Sequence, residues 1–307
     1  MNKTALFRLA FRWVPRLPMR LVQMIAIAAG YVMWAVAGQT RARVAANLAH
    51  IPTLAADPVA LQRATRRSFR ALMLNYVDFF VHPQVDADFL AHFPVDHPEI
   101  LQNIYQQGKG AIFVSLHSCG FERGCNRVIS LMPTPFTAPD EVLHPPELYA
   151  LVHAERLKSG VRFFPIDQDA TLRELIAALR RGENVVLAGD RDVVHSGVEV
   201  PFFGKPARLP TGPIALARLT GAPIVFVISW RIGLNDLEGR VILGAEHIGR
   251  ETRGDEAVAR ALAPLVTIME REITRHPDLW LGAFADDIWV KPAMAQVPPS
   301  ATISAVR

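Results

Sequence analysis

The chain has 307 residues, half of them apolar, a formal net charge of +4 and two cysteines. That length allows one large domain with a generous core, or two smaller ones. One pair of cysteines excludes a disulfide framework and makes a reduced, cytosolic setting the default. Mean hydropathy is +0.19, high for a soluble enzyme, and the pI is near 9.3.

The placement of the bases says more than their number. Lys3, Arg8, Arg12, Arg16 and Arg20 come before any acidic residue, and Arg41 and Arg43 follow the next apolar run. Bases flanking an apolar segment suit an anionic membrane surface. They are not interleaved with a recognisable nucleic-acid module, so nucleic acid is not expected as a partner. Pro15 and Pro18 interrupt any continuous helix over residues 1–20. The run from Leu21 to Gly38 is strongly apolar, with Gln23 its one strongly polar residue. That length is at the lower edge for a bilayer span and above a usual signal-peptide core. A short anchor, an in-plane membrane helix and a buried core helix all stay open. Trp34 and the bases at 41–43, without a small-residue cleavage site, argue against a cleaved secretory signal.

Residues 41–51 read as an amphipathic helix stopped by Pro52, and residues 57–80 as another, with Leu61, Ala64, Phe69, Leu72 and Leu74 at helical spacing. Pro83, Pro94 and Pro98 break residues 81–98 into a loop with a short extended piece, and a helix is expected over 98–106. Ala111 to Leu116 is an apolar, β-leaning run bounded by polar and glycine residues, which reads as a buried strand. It ends on His117, and Glu122 follows at the start of an expected helix. Five prolines between Met132 and Pro146 predict a loop or lid. Helices are expected over 147–159 and 170–181, and strands over 161–166 and 184–188, the second ending at Gly189-Asp190-Arg191-Asp192. Residues 197–203 form a short alternating piece ending at Gly204. Pro210 to Pro213 opens a helix to Leu219, and 223–230 is a further strand. Residues 241–243 suit an edge strand and 255–275 an amphipathic helix. The tail from Lys291, rich in Pro, Ala and Ser, is expected to be disordered. Strands alternating with helices across 98–230 argue a single α/β sheet wrapped by helices. The division is then a membrane-associating region over 1–40, the main domain over 41–290 and a tail over 291–307.

A histidine at the carboxyl end of a strand in an α/β sheet points into the crevice where such folds bind ligands. A carboxylate one turn on can accept a hydrogen bond from one imidazole nitrogen, which makes the other a better base for an incoming hydroxyl. His-x-x-x-x-Glu alone is a weak pattern. His117, Cys119, Glu122 and Cys125 match no standard zinc spacing. Cys119 paired with His117 would make a thiol hydrolase, but no oxyanion glycine motif accompanies it. Both cysteines read better as small buried residues. His144, His153, His195, His247 and His276 have no partner pattern and read as surface or packing residues.

Together the motifs are more specific. The basic, apolar N-terminus leads to RARVAANLAHI, and His117 to Glu122 stands as H-x-x-x-x-E. Arg156 and Gly160 precede the strand to Pro165. DRD at 190–192, GVEVPFFG at 197–204, RLPTGPIALA at 208–217, GAPI at 221–224 and HPDLWLGAFADDIW at 276–289 follow. In these the chain resembles the lipid A late acyltransferases of the lysophospholipid acyltransferase superfamily, and within that group most of all the phosphatidylinositol mannoside acyltransferases. The resemblance implies a central mixed sheet flanked by helices, as in glycerol-phosphate acyltransferases, with a helical membrane-associating N-terminal region. It implies acyl transfer from an acyl-CoA or acyl carrier protein thioester, without a further cofactor or metal, to a hydroxyl of a membrane glycolipid. The setting would be the cytoplasmic face of the plasma (inner) membrane. His117 would be the general base, and Glu122 or Glu199 would orient it. Glu199 stands where the mannoside group has its glutamate, which favours a mannosylated phosphoinositide over a lipid A precursor. Arg156 and Arg208 are candidates for donor or acceptor phosphates. Asp190 and Asp192 would bind acceptor hydroxyls or hold Arg191, and the motifs carry Arg191, Phe203, Gly204 and Pro223 into the expected substrate-binding set. The opposed class, a non-catalytic lipid-binding relative, is argued against by the intact His117 and Glu122.

Overall fold

The computed structural model describes residues 2–81, 92–286 and 288–290. The N-terminal part is helical: α1 (Lys3–Trp13), α2 (Met19–Val36), α3 (Gly38–Leu48), a short α4 (Pro52–Ala55) and α5 (Pro58–Val81). Pro15 lies in the 3-10 turn Val14–Arg16 between α1 and α2, where a missing N–H breaks no α-helical ladder. Asp57 opens α5 by accepting the N–H of Val59 and Ala60 at 2.9 and 3.0 Å, an N-cap that satisfies donors the helix cannot.

The remainder alternates. In order come β1 (Val95–Asp96), α6 (Glu99–Gln107), β2 (Ile112–Ser115), α7 (Phe121–Leu131), β3 (Phe136–Asp140) and α8 (Pro146–Arg156). They are followed by β4 (Arg162–Pro165), α9 (Asp169–Arg180), β5 (Asn184–Ala188), β6 (Val198–Phe202), β7 (Lys205–Leu209) and α10 (Gly212–Thr220). The series closes with β8 (Ile224–Arg231), β9 (Leu237–Ala245) and α11 (Asp255–Arg275). Seven strands form one sheet in the order β1-β9-β8-β2-β5-β3-β4. Only β8 and β9 pair antiparallel within it, so the sheet is mixed, with β2 at its centre. Alternation along β2 divides the core. Ile112, Val114 and Leu116 pack with α10 and α11, while Ala111 and Phe113 face the side covered by α6.

Three expectations change. The loop or lid over 132–146 contains β3, because Pro139 lies beyond the two residues, Phe136 and Thr137, that pair with β5, so that ladder loses no donor. Residues 205–209, expected to carry no element, form β7, paired antiparallel with β6. Its turn is Phe203-Gly204, both at positive φ, 48° and 69°, without the Asn-Gly or Asp-Gly signal of a two-residue hairpin. The strand at 241–243 runs nine residues and is second from the edge, because β1 pairs with it; Gly239 and Gly244 interrupt its apolar pattern. The tail from Lys291 and most of the loop expected over 81–98 lie outside the described residues, although β1 is the extended piece of that loop.

The apolar run at 21–38 is α2, and the core-helix reading fails. One side, with Val22, Gln23, Ala26 and Gly30, is buried. The other exposes Met24, Ile25, Val32 and Val36 at 66, 55, 61 and 77%. A Cβ on Gly30 would stand 2.8 Å from Arg70 Cα and from Phe69 O, so glycine is what lets α2 and α5 touch backbone to backbone. Gly30→Leu is expected to force the two helices apart, at about 1–3 kcal/mol. A circular-dichroism melt several degrees below wild type would show it, and an unchanged melt would contradict the close contact.

Candidate active site

The β2–β5 register pairs Ser115 with Ala188. Two residues further along each parallel strand come His117 and Asp190, so the ladder delivers an imidazole and a carboxylate side by side although 73 positions separate them in the chain. His117 Nδ1 lies 2.7 Å from Asp190 Oδ1. The His117 N–H also donates to this carboxylate, at 3.2 and 3.1 Å to its two oxygens, and Trp280 Nε1–H donates to Oδ2 at 2.9 Å. Burial pushes the Asp190 carboxyl up, but the charge of His117 and the bonds from His117 and Trp280 outweigh it and hold the group below its ordinary value. An ionised Asp190 keeps the proton of neutral His117 on Nδ1 and leaves Nε2 as the basic nitrogen. The His117 side chain is 37% exposed, against 0% for Asp190.

The segment 277–284 closes over this pair. Leu281 N–H donates to His117 O at 2.7 Å and Cys119 N–H donates to Leu279 O at 2.8 Å. Gly282 is required there, because a Cβ would fall 2.5 Å from Asp190 Oδ2 and 2.3 Å from Trp280 Nε1.

His117 opens on a cavity of about 1120 Å³ that wraps the carboxyl ends of the central strands. One wall is apolar, with Phe113, Phe136, Val186 and Val227 from the sheet and Val128 and Ile129 from α7. The polar part of the lining includes Glu122, Arg156, Asp167, Arg191 and His195. Glu122, on the first turn of α7, makes no hydrogen bond to His117. Its pKa is raised, first by burial, with Asp78 and Asp140 adding and Arg156 and His117 opposing. Glu122 therefore presents to the cavity a carboxyl that holds its proton more tightly than an exposed one.

The partner expected for His117 was Glu122 or Glu199; the carboxylate bound to it is Asp190, expected to bind acceptor hydroxyls or hold Arg191. Glu199 is exposed on β6, opposite Arg208 on β7, and neither lines the cavity. Phe203 and Gly204 make the hairpin turn, and Pro223 lends its C=O to Ile112 N–H at 2.9 Å; these three also stand off the cavity wall. Asp192 does line it, but its oxygens accept the N–H of Ser196 and Gly197 at 3.1 and 2.7 Å and so shape the loop rather than hold Arg191. Arg191 faces Glu141 at 3.6 Å, with its Nε buried and unpartnered.

Arg156 is placed by residues that sequence reasoning missed. Its guanidinium pairs with buried Asp140, which also binds His153 Nδ1 at 2.9 Å, and it lies 5.8 and 5.9 Å from the ring centres of Phe79 and Phe163. His153 is thus a partly exposed partner of a buried carboxylate, and His144 and His195, both exposed as expected of surface residues, also line the cavity. Asp140 lay concealed in the proline-rich stretch. Trp280 stood within a motif, but only the fold shows what its indole touches. Cys119 is fully buried, its thiol donating to Ala71 O at 3.2 Å, and burial pushes its pKa to about 12, which removes the thiol-nucleophile reading. Among the described residues no three His, Cys, Asp or Glu side chains converge as a metal would need.

Residues 4–282 match the family model for bacterial lipid A biosynthesis acyltransferases. A phosphatidylinositol mannoside acyltransferase of Mycobacterium tuberculosis (strain ATCC 25618 / H37Rv) is 33% identical over 125 residues, 40% of this chain and 39% of that protein. Its counterpart from Mycolicibacterium smegmatis is 31% identical over 138 residues, 44% of each. A lipid A biosynthesis palmitoleoyltransferase of Escherichia coli (strain K12) is 29% identical over 193 residues, 62% of this chain and 59% of that protein. Each match spans less than two thirds of the relative's length. The family model spans nearly the whole chain, from α1 to the segment closing over His117, and on that extent the chain belongs to the bacterial lipid A biosynthesis acyltransferase family.

Proposed function

We propose that the protein moves a fatty acyl group from a thioester, acyl-CoA or acyl carrier protein, to a hydroxyl of a membrane glycolipid. The observation that carries this reading is the His117–Asp190 pair opening on a large cavity with one apolar wall. His117 Nε2 takes the proton of the acceptor hydroxyl as its oxygen attacks the thioester carbonyl. The C–S bond then breaks, and the leaving thiolate takes the proton from the imidazolium, which Asp190 has stabilised. No acyl-enzyme is needed. The acyl chain lies along the wall of Phe113, Phe136, Val128 and Ile129, and Arg156 and Arg191 face phosphates of donor or acceptor.

A phosphoinositide mannoside is the favoured acceptor, supported by the higher identity to the mycobacterial relatives. A lipid A precursor is the second reading, favoured by the longer stretch shared with the Escherichia coli protein. Glu199, exposed outside the cavity, gives the mannoside branch no geometric support. The protein would work on the cytoplasmic face of the inner membrane. The exposed apolar side of α2 would sink among lipid tails while Arg8, Arg12, Arg16 and Arg20 meet anionic headgroups. Because α2 is fastened along its other side to α5, and Gln23 Nε2 donates to Leu234 O at 3.0 Å, an in-plane helix fits better than a spanning one.

The test offers purified protein labelled palmitoyl-CoA with phosphoinositide mannosides or a lipid A precursor, on anionic liposomes. Label on the mannoside supports the favoured acceptor, and label on the precursor moves the assignment to the second. Release of free CoA without either would require another acceptor. No release and no flotation with liposomes would defeat the reading. Val128→Phe, which fills the apolar lobe, is expected to shift the kcat/KM ratio toward shorter acyl donors by on the order of tenfold. An unchanged chain-length profile would place the acyl chain elsewhere.

A further inference from the structure

The loop that joins His117 to Glu122 is held from below by one face of α5. Ala71, Asn75 and Asp78 recur at spacings of four and three, so they share a face. Ala71 O accepts the Cys119 thiol at 3.2 Å, and Asn75 Oδ1 accepts Gly120 N–H at 3.4 Å. Asp78 Oδ1 accepts Arg123 Nε–H at 2.9 Å, and Asp78 Oδ2 accepts Arg231 Nη2–H. β8 holds the same loop from the side, with Ser229 Oγ–H donating to Gly120 O and Arg231 N–H to Cys119 O, each at 2.8 Å. Asp78, Arg123 and Arg231 are exposed by only 1, 8 and 4%.

A buried carboxylate between two buried guanidinium groups is a costly way to fill space, since apolar side chains of similar volume often give equal or greater stability. What the ionic arrangement adds is direction, because each guanidinium donates along fixed lines. Arg123 adjoins Glu122, and Asp78 itself lines the cavity.

We propose that Asp78 is a positioning residue for the acyl transfer read above: by receiving Arg123 and Arg231 it locks residues 118–124 between α5 and β8, and so sets where Glu122 stands relative to His117. The charge environment agrees. Glu122 is pushed up first by burial and then, against Arg156 from α8, by Asp78 from α5 and Asp140 from β3, with His117 at the end of β2 opposing.

Asp78→Asn keeps the shape and removes the charge, and two readouts decide. Hydrogen exchange of the 118–124 amides is expected to rise while the rest of the chain stays protected, a readout that needs no substrate. Turnover is expected to fall about 10- to 100-fold with donor KM within about threefold. The limb of the pH–rate profile that Glu122→Gln abolishes should move to lower pH, because a charge that raises the Glu122 pKa has gone; the fall in kcat at nearly constant donor KM is what a merely structural role would not give. Native exchange at 118–124 overturns the positioning itself. Raised exchange with native turnover overturns the link between this positioning and the chemistry, while the role of His117 is tested separately by His117→Ala. Should Asp78→Asn fail to fold, Arg123→Lys decides: loosened exchange at 118–124 with an intermediate loss of turnover supports the proposal, and a wild-type rate or wild-type exchange overturns it.

Discussion

His117→Ala is expected to lower turnover by about 10³- to 10⁴-fold, the upper part of the range for removing a general base, while the protein melts as wild type. The two halves of that expectation have separate causes. The part of His117 that holds the fold together is its backbone: its N–H reaches Asp190, and its C=O accepts Leu281 N–H at 2.7 Å. Alanine keeps both. The imidazole is 37% exposed toward the cavity, and its one hydrogen-bond partner among the described residues is Asp190, which retains donors from Trp280 and the backbone. A thioester-transfer assay beside a thermal melt checks both halves. Near-wild-type transfer would sink the mechanism, and a large fall in melting temperature would show that the side chain supports the fold.

Asp190→Asn should come close to the same loss, on the order of 10³-fold. An amide can still accept from Trp280 and the backbone, but it carries no charge to stabilise the imidazolium and allows the imidazole proton to move to Nε2. In a serine protease triad the corresponding Asp-to-Asn change costs about 10⁴. A second signature follows from linkage. The Asp190 pKa is depressed in the folded protein. Its carboxylate therefore contributes stability that is present above the unfolded value, near 3.9, and is lost as pH falls through the lower folded value. The melting temperature of wild type is expected to exceed that of Asp190→Asn at neutral pH, and the gap to close below about pH 4. A constant gap from pH 7 to 3 would mean that the buried carboxylate is not the ionised group in the fold.

Much of the architecture was legible because it depends on local periodicity. The apolar run to Leu116 could only be a buried strand. The helix expected over 255–275 is α11 with the same limits, and the helix expected over 57–80 differs from α5 by one residue at each end. The strands missed (β3, β7) or read too short (β9) have one cause in common: they contain Pro or Gly, and their pairing is decided by neighbouring strands rather than by their own pattern. Asp190 illustrates the same limit at the site. Its place just beyond a strand was readable, but its role was not, since that depends on β5 lying beside β2 with Ser115 opposite Ala188. Glu122 is nearer to His117 in the chain and Glu199 stands in a motif, yet α7 carries the first into the cavity wall and the hairpin turns the second to solvent.

What the sequence determined by itself was the class of the sheet, His117 at a strand end and the apolar, basic N-terminal region, all set by residue type and short-range spacing. Only the tertiary structure decided which carboxylate serves the histidine, that Asp140 and two aromatic rings orient Arg156, and that one side of α2 is free. Those follow from register and packing, in which residues many positions apart meet because hydrogen-bonded strands and buried side chains leave them no other arrangement.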